Sequence, residues 1–166
     1  WSPGRRSIVF RSNRDFVDTA DAEYDNQHLE IYTMNVDGGD IQRLTNNDCM
    51  DTWPRWSPDG TQIVFISDCE GRWDVFVMDT VGKNRRNLTN TPDVYETTPA
   101  WSPDGKLIAY ARENGIWFMR TDTLEAWQEI RLVDFVPDSY WPDNESPWPV
   151  SPVWSPKGDK LAFQIW

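Results

Sequence analysis

Residues 56–78 read WSPDGTQIVFISDCEGRWDVFVM, and this stretch decides the fold. It opens with a turn, because Pro58 presets φ at the second position of a type I turn, Asp59 suits the third, and Gly60 accepts the left-handed conformation that follows. Positions 63 and 65 then place an isoleucine and a phenylalanine on one side of a period-two strand, and a second apolar run closes the stretch. The stretch therefore predicts a tight hairpin followed by one more strand.

The Trp-Ser-Pro motif that opens this stretch returns along the whole chain of 166 residues. It begins at Trp1, Trp56, Trp101 and Trp154, at intervals of 55, 45 and 53 residues. An aromatic residue follows nine positions after each of these tryptophans, at Phe10, Phe65, Tyr110 and Phe163. Self-similarity of this kind is typical of repeat folds. We therefore interpret the four motif tryptophans as packing residues of a repeated unit.

Two further strands repeat within each unit. One aligns over residues 31–34, 75–78 and 116–119, and the other over 44–46, 88–90 and 132–134. Four short antiparallel strands in a unit of about 45 residues are the pattern of a β-propeller blade. The sequence therefore predicts an all-β fold made of four-stranded antiparallel blades.

The length accommodates about three blades and the start of a fourth. We assign blade 1 to residues 1–55, with an acidic insertion at 16–28, blade 2 to 56–100, blade 3 to 101–153, with a Pro- and Trp-rich loop at 134–153, and the first strands of blade 4 to 154–166. Closed propellers have about four to eight blades, and an open arc leaves unpaired strand edges. We therefore expect an incomplete ring whose remainder comes from missing chain or from a second copy.

The repeats resemble those of the TolB-like (WD-repeat-like) β-propeller family, which also occur in tricorn-type and prolyl-oligopeptidase-type proteins. Residues 63–68, 74–79 and 87–90 carry this resemblance. It implies a non-catalytic interaction scaffold for a protein or peptide partner, with a periplasmic or extracellular location. The fold supports many functions, so two alternatives stay open: the propeller domain of a larger enzyme (a prolyl-oligopeptidase-like hydrolase or a polysaccharide-active protein) and a glycan-binding module.

The charge of the chain argues against two classes of partner. Asp and Glu number 27 against 16 Lys and Arg, which gives a formal net charge of −11. A nucleic-acid surface needs Lys and Arg to displace counterions from phosphates, and anionic membranes also attract basic segments. No apolar run approaches the roughly 20 residues of a membrane span. We therefore expect neither nucleic-acid binding nor direct membrane insertion, and an acidic surface suits a basic or amphipathic peptide.

The chain has 2 cysteines, Cys49 and Cys69, and both fall in predicted loops. Cys49 lies in the connection into blade 2, and Cys69 lies between the second and third strands of that blade. In a four-stranded blade these two connections emerge on the same face, so a disulfide between them is sterically reasonable. We predict this disulfide, which implies an oxidising compartment and agrees with a periplasmic or extracellular location.

A candidate binding surface follows from a second repeated feature. Asp51 and Glu96 each stand three residues before the repeated proline, in the loops that lead into blades 2 and 3. Together with Trp53 and Tyr95, they predict an acidic, aromatic-edged ligand surface near the central channel. The alternative role is structural, since such carboxylates also accept backbone N–H groups of their own loop.

Trp141 and Trp148 are further candidates for partner binding, because they lie in the proline-rich loop of blade 3. Proline keeps such a loop extended and lowers the entropy cost of presenting exposed aromatic side chains. Alternatively, both rings fold back onto the blade. With Trp53, they are also the residues that a glycan-binding surface would use.

No cofactor is expected. Within the acidic insertion, Asp21, Glu23 and Asp25 have the spacing of the first ligands of an EF-type calcium loop. Position six of that loop is Asn26 rather than glycine, and position twelve is Tyr32 rather than glutamate. We interpret the insertion as a solvated loop, with calcium binding as the alternative.

The sequence carries no catalytic motif. A Ser-His-Asp triad would depend on the single histidine, His28, and the repeated serines belong to turns. Carboxylate pairs for glycoside chemistry stay open, because spacing in sequence does not fix separation in space. We therefore expect a non-enzymatic segment, and the catalytic residues of an enzymatic parent would lie outside it or in the channel.

Overall fold

The computed structural model describes residues 1–15, 28–91, 93–112, 115–123, 126–131 and 149–165. Its strands form antiparallel sheets, which confirms the predicted all-β fold. The first sheet contains β1 (Ser7–Ser12), β2 (Glu30–Asn35) and β3 (Gln42–Arg43). The second contains β4 (Asp51–Trp56), β5 (Gln62–Ser67), β6 (Asp74–Asp79) and β7 (Arg86–Asn87). The third contains β8 (Glu96–Trp101), β9 (Leu107–Arg112), β10 (Gly115–Arg120) and β11 (Ala126–Arg131), and the fourth contains β12 (Pro149–Trp154) and β13 (Leu161–Ile165).

Within each sheet, neighbouring strands are also neighbours along the chain. The second and third sheets have the four antiparallel strands predicted for a propeller blade. The first sheet has the counterparts of strands two to four, and the fourth sheet has the counterparts of strands one and two. The ring formed by these described strands is not closed. Among the described residues, no helix has the length and apolar character needed to cross a membrane.

The sheets and the sequence units are offset by a few residues, and from here on blades 1 to 4 denote the first to fourth sheets with their loops. The units counted from the sequence begin at the motif tryptophans, whereas the second and third sheets begin at Asp51 and Glu96. Trp56 and Trp101 are the last residues of β4 and β8. The chain reverses immediately after them, because the Ser-Pro-Asp-Gly turn leads straight into the second strand.

The first strands of successive blades lie side by side, with β4 against β8 and β8 against β12. They therefore line the inside of the arc. We call the end of the blades where β4 and β8 begin the loop face. Asp51 pairs there with Ser67, so the loops into the first strands and the loops between second and third strands emerge together. The opposite end carries the motif turns, and we call it the hairpin face.

Side chains alternate between the two faces of each sheet, and each face packs against a neighbouring blade. Ile63 and Phe65 of β5 join Ile31 of β2 in the core between the first two sheets. Val64 and Ile66 point the other way and join residues of β9 in the core between the second and third sheets. Fully burying a large apolar side chain contributes about 1.5–3 kcal/mol. Both faces of blade 2 therefore help to hold the arc together.

The motif turns have the geometry that their sequence predicts. Gly60 has a φ of +74°, and its N–H donates to the Ser57 carbonyl at 3.0 Å, as in a type I turn followed by a left-handed residue. The Ser57 hydroxyl oxygen accepts the N–H of Gln62 at 2.9 Å. A Cβ added at Gly60 would lie 3.5 Å from Pro3 in the turn of the preceding blade. The turns of these adjacent blades are therefore in contact as well as similar in sequence.

Candidate functional site

Asp51, a predicted member of the ligand surface, is fully buried at the start of β4. Its carboxylate accepts a hydrogen bond from the Asn47 side chain at 2.8 Å and lies 3.5 Å from the Arg85 guanidinium. Its backbone N–H donates to the Leu29 carbonyl of blade 1 at 2.7 Å. Burial raises the pKa of the Asp51 carboxyl above its ordinary value. Asp51 thus joins blade 1, the connecting loop and blade 2.

Glu96 occupies the same place at the start of β8 and is also fully buried. It accepts hydrogen bonds from the Val75 N–H at 3.3 Å and from the Thr91 hydroxyl at 3.1 Å, and the Arg112 guanidinium lies 3.7 Å away. Burial raises its pKa to about 7. The sequence placed this carboxylate and that of Asp51 on an open surface. Both carboxylates are instead buried. Their donors include the side chains of Asn47 and Thr91 and the Val75 N–H of β6, which are not backbone N–H groups of their own loops.

The exposed part of the predicted surface is aromatic. Tyr95 is 43% exposed, and Trp53 is half-buried. Trp73 joins them, because its ring centroid lies 5.1 Å from that of Trp53 and 6.4 Å from that of Tyr95, both in edge-on geometry. Aromatic pairs of this kind contribute about 0.5–1.5 kcal/mol beyond their buried area. We call Trp53, Trp73 and Tyr95 the aromatic row.

Two arginines cover the ends of the aromatic row. The guanidinium carbon of Arg72 lies 4.5 Å from the Tyr95 ring centroid, and that of Arg11 lies 5.6 Å from the Trp53 ring centroid. Arg11 also donates a hydrogen bond to the hydroxyl of buried Thr52. Cation–π contacts contribute about 0.5–1 kcal/mol at exposed sites. The row therefore carries positive charge at its ends, in place of the acidic edge expected from the sequence.

Trp53 owes its position to an irregularity in β4. The register with β5 shifts between Thr52 and Arg55, and Trp53 has a φ of +47°. Its counterparts in β8 and β12, Thr98 and Ser151, have φ values of +50° and +56° at the same kind of shift. All three residues precede a proline. Backbone strain is therefore repeated at one position of each first strand.

Cys49 and Cys69 are joined by a disulfide on the loop face. Their Cα atoms are 5.1 Å apart, and the bridge links the loop into β4 with the loop between β5 and β6. The Cys49 N–H donates to the side-chain oxygen of Asn47 at 2.7 Å. The bridged loop therefore also positions the amide that binds Asp51.

Several predicted site residues lie outside the described residues: Trp141, Trp148 and the calcium candidates Asp21, Glu23 and Asp25. Their assignments stay predictions. Across the ranges that the structure describes, no group of three or more His, Cys, Asp or Glu side chains is arranged to hold a metal ion.

The motif tryptophans surround a cavity of about 370 Å³ on the hairpin face. Trp56 and Trp101 pack against the cores between blades, and Trp154 donates its indole N–H to a blade 3 carbonyl at 3.2 Å. Within its turn, the Ser102 hydroxyl donates to Asp104 at 2.7 Å. These repeated side chains therefore serve packing and turn formation.

The predicted ligand surface left out Trp73, which the sequence placed only among the tryptophans outside the repeat, and sequence reasoning missed the two arginines of the aromatic row. None of them belongs to the repeat, so alignment of the units does not single them out. A signal was nevertheless available for Arg72 and Trp73. They lie in the same loop as Cys69, which the sequence had already assigned to the face that carries Cys49.

A curved array of four-stranded antiparallel sheets, with their first strands side by side, defines a β-propeller domain that presents loops on one face. The family described as the TolB beta propeller domain matches residues 1–134. The chain belongs to this family.

Two relatives and one solved structure illustrate the similarity. The chain is 40% identical over 74 residues to the uncharacterized peptidase YuxL of Bacillus subtilis (strain 168), a match covering 40% of this chain and 11% of the relative. It is 36% identical over 63 residues to the Tol-Pal system protein TolB of Syntrophus aciditrophicus (strain SB), covering 38% of this chain and 14% of the relative. The TolB crystal structure from Acinetobacter baumannii superposes with a TM-score of 0.68 and 21% identity over 97% of this chain and 35% of that one. The matches thus span a minor part of each of these three proteins.

Proposed function

We propose that the chain is a non-catalytic propeller segment that binds a protein or peptide partner through its loop face. The observation that carries this proposal is the aromatic row, with Arg11 and Arg72 over its ends. Trp, Tyr and Arg are the side chains that most often dominate binding energy in protein interfaces. A relative named as a Tol-Pal system protein is consistent with this role.

An amphipathic peptide is the partner chemistry that this face supports best. Apolar side chains of the peptide would pack on the exposed ring of Tyr95 and the half-buried ring of Trp53. Acidic side chains would pair with Arg11 and Arg72 at the ends of the row. The net charge of −11 favours a partner that carries basic groups elsewhere on its contact surface.

Selection from a displayed random peptide library on the immobilised protein tests the proposal. We expect Tyr95→Ala and Trp73→Ala each to weaken the binding of the selected peptides by about 10-fold or more, as loss of an aromatic side chain from an interface does. Val81→Ala is the control, because Val81 is 63% exposed but lies on the hairpin face, and it should leave the affinity unchanged. Failure to enrich any peptide, or equal affinities for all three variants, overturns the proposal.

A second candidate function is the propeller domain of a larger enzyme. It is favoured by the match of 40% identity over 74 residues to a protein named as a peptidase. A nucleophile–base motif in the parent sequence on either side of this chain, together with hydrolysis of peptide substrates by the whole parent protein, would establish it. If the parent protein has neither such a motif nor hydrolytic activity, the scaffold function stands.

Glycan binding by the aromatic row is the remaining alternative. Trp53 supplies the half-buried indole that such a surface would use. A glycan array probed with the intact protein measures it directly, and an array without bound glycan removes this alternative.

We propose that the protein works outside the cytoplasm. The Cys49–Cys69 disulfide supports this location, since disulfides persist in oxidising compartments. Alkylation of free thiols in intact cells, followed by mass spectrometry, measures the redox state of the pair. A fully reduced pair in the native source contradicts the proposal.

A further inference from the structure

The loop face of blade 1 contains a polar cavity of about 210 Å³ beside the start of β2. Its charged lining consists of the Asp15, Glu30 and Asp48 carboxylates and the Arg43 guanidinium, together with the Tyr32 phenol among the polar groups. The aromatic row uses none of these side chains. The cavity is therefore a separate feature of the face proposed to bind a partner.

Glu30 differs from the other carboxylates of the cavity because it is only 3% exposed. Its Oε1 accepts hydrogen bonds from Arg43 Nη2 at 2.8 Å and from the Asn47 N–H at 2.9 Å. Its Oε2 is buried and has no hydrogen-bond partner among the residues that the structure describes. A buried carboxylate oxygen without a donor is costly. Such an atom beside a cavity points to a ligand that supplies the donor.

Blade 2 provides an internal comparison. Asp74 begins β6 at the register that Glu30 has in β2, opposite the last residue of the preceding strand. Both of its oxygens have donors: Oδ2 accepts from the Asn87 side chain at 2.7 Å, and Oδ1 accepts from the Thr91 N–H at 3.0 Å. The repeat itself therefore does not impose an unpaired oxygen. Blade 1 departs from blade 2 through its longer acidic side chain.

The guanidinium and phenol of the cavity are already engaged. Arg43 donates Nε–H to the Thr45 carbonyl at 2.8 Å and Nη2–H to Glu30, and its Nη1 lies 3.7 Å from Asp15. The Tyr32 hydroxyl donates to Asp15 at 2.8 Å. Both groups are oriented by these partners, and among the described residues neither donates to Glu30 Oε2.

The charge of the cavity favours a cation. Three carboxylates line it against one guanidinium, and two of them, Asp15 and Asp48, are exposed at its rim. The described part of the chain offers no group of three or more His, Cys, Asp or Glu placed to hold a metal ion. Ammonium and guanidinium groups combine positive charge with several directed N–H donors, and so match carboxylate oxygens that are spread around a cavity.

We propose that this cavity binds the ammonium or guanidinium group of a lysine or arginine side chain from the protein partner. The inference rests on the proposed function and deepens it, because it gives the basic part of an amphipathic partner a specific place. Glu30 accepts an N–H through Oε2 when rotation about its last side-chain torsion, which is a broad one for carboxylates, turns that oxygen toward the cavity and shifts Oε1 with it. Asp15 and Asp48 attract the cation at the rim.

Nuclear magnetic resonance gives a local readout, because His28, the single histidine of the chain, lines the cavity. Titration with N-acetyl-lysine methylamide or N-acetyl-arginine methylamide should shift the His28 ring signals saturably. The capped norleucine and citrulline analogues, which lack the charge, should not shift them. Butylamine tests a free small amine as the source, and weaker binding of butylamine than of a lysine-containing peptide supports a partner side chain. Equal binding of the two overturns that assignment.

Glu30→Gln keeps the size of the side chain and removes its charge, so it should weaken the binding of the capped lysine about 10-fold or more. Asp74→Asn makes the same chemical change at the equivalent position of blade 2 and should leave the titration unchanged. Should Glu30→Gln fail to fold, Asp48→Asn at the exposed rim provides an independent test, with about threefold weakening expected. Unchanged binding in the folded Glu30→Gln variant, or in Asp48→Asn, overturns the inference, as do equal shifts with the neutral analogues.

The inference and the proposed function fail separately, because the capped amino acids report on the cavity without any partner. A normal lysine titration with no peptide enriched at the aromatic row refutes the protein-binding function alone. Normal peptide selection without a lysine response refutes the cavity assignment alone.

Discussion

The wild type is expected to lose stability as the pH rises and Glu96 ionises, and the Glu96→Gln variant is expected to lack this loss. The carboxylate is fully buried between blades 2 and 3, where the Val75 N–H and the Thr91 hydroxyl donate to it. Burial is the largest influence on its ionisation and raises its pKa to about 7, from an ordinary value of 4.5. Glutamine keeps the shape of the side chain and an acceptor oxygen, and it cannot ionise.

Linkage sets the direction and size of the effect. The folded state binds this proton more tightly than the unfolded chain, so the contribution to stability is complete below about pH 4.5 and is lost as the pH rises through about 7. At about 1.36 kcal/mol per pKa unit, the gap between the two pKa values corresponds to about 3 kcal/mol once the group is ionised in both states.

Urea unfolding at pH 5 and pH 8.5 measures the effect. We expect wild type and Glu96→Gln to have free energies of unfolding within about 1 kcal/mol of each other at pH 5. At pH 8.5 the variant should be more stable by about 3 kcal/mol. Asp51, whose pKa burial also raises, is present in both proteins and cancels from the difference.

Asp93→Asn serves as the control, because it removes an exposed carboxylate from the same loop and should follow the wild type. Parallel pH dependences for wild type and Glu96→Gln would show that burial does not hold the proton on Glu96. That result would refute the reasoning.

Three further changes test the backbone and the disulfide. Gly82→Ala should destabilise the protein by about 2 kcal/mol or more in thermal unfolding, because φ is +78° and an added Cβ would overlap a carbonyl of the neighbouring blade. Gly38→Ala is the control, since φ is +85° and an added Cβ has nothing within 4 Å, and it should cost about 1 kcal/mol. Equal losses of stability in the two variants would contradict the clash at Gly82. Ser151→Gly should raise the melting temperature by relieving about 1 kcal/mol of left-handed strain, and Ser151→Val should lower it; the reverse order would count against strain at this position. Replacing Cys49 and Cys69 by alanine should cost about 3 kcal/mol in chemical denaturation, since the bridge spans 20 residues of sequence, and no difference from the oxidised wild type would contradict this.

The fold was predictable because its signals are local and repeated. Pro58, Asp59 and Gly60 specify a turn from their own dihedral preferences, and the hydrogen bonds of that turn close within a few residues. The motif occurs four times at similar intervals, so each copy independently predicts the same turn and strand. The position of the cysteines in two loops of one blade also followed from strand counting, which needs no knowledge of side-chain packing.

The candidate site was only partly predictable, because burial depends on residues distant in sequence. Arg85, which faces the Asp51 carboxylate, is 34 positions away along the chain. Nothing in the spacing of Asp51 and Glu96 shows that neighbouring blades cover them. The unpaired oxygen of Glu30 is likewise visible only once each hydrogen-bond donor around it has been placed.

The positive φ shared by Trp53, Thr98 and Ser151 has a consequence for how such a protein diversifies. An indole, a methyl-bearing hydroxyl and a small hydroxyl all stand on the same backbone geometry at the inside of the arc. The main chain there is fixed by the strand irregularity and the following proline rather than by the side chain it carries. The backbone of this position therefore accommodates different side chains in different blades, and in one blade the side chain also links to the next: the Thr98 hydroxyl oxygen accepts the Ser151 N–H at 3.0 Å.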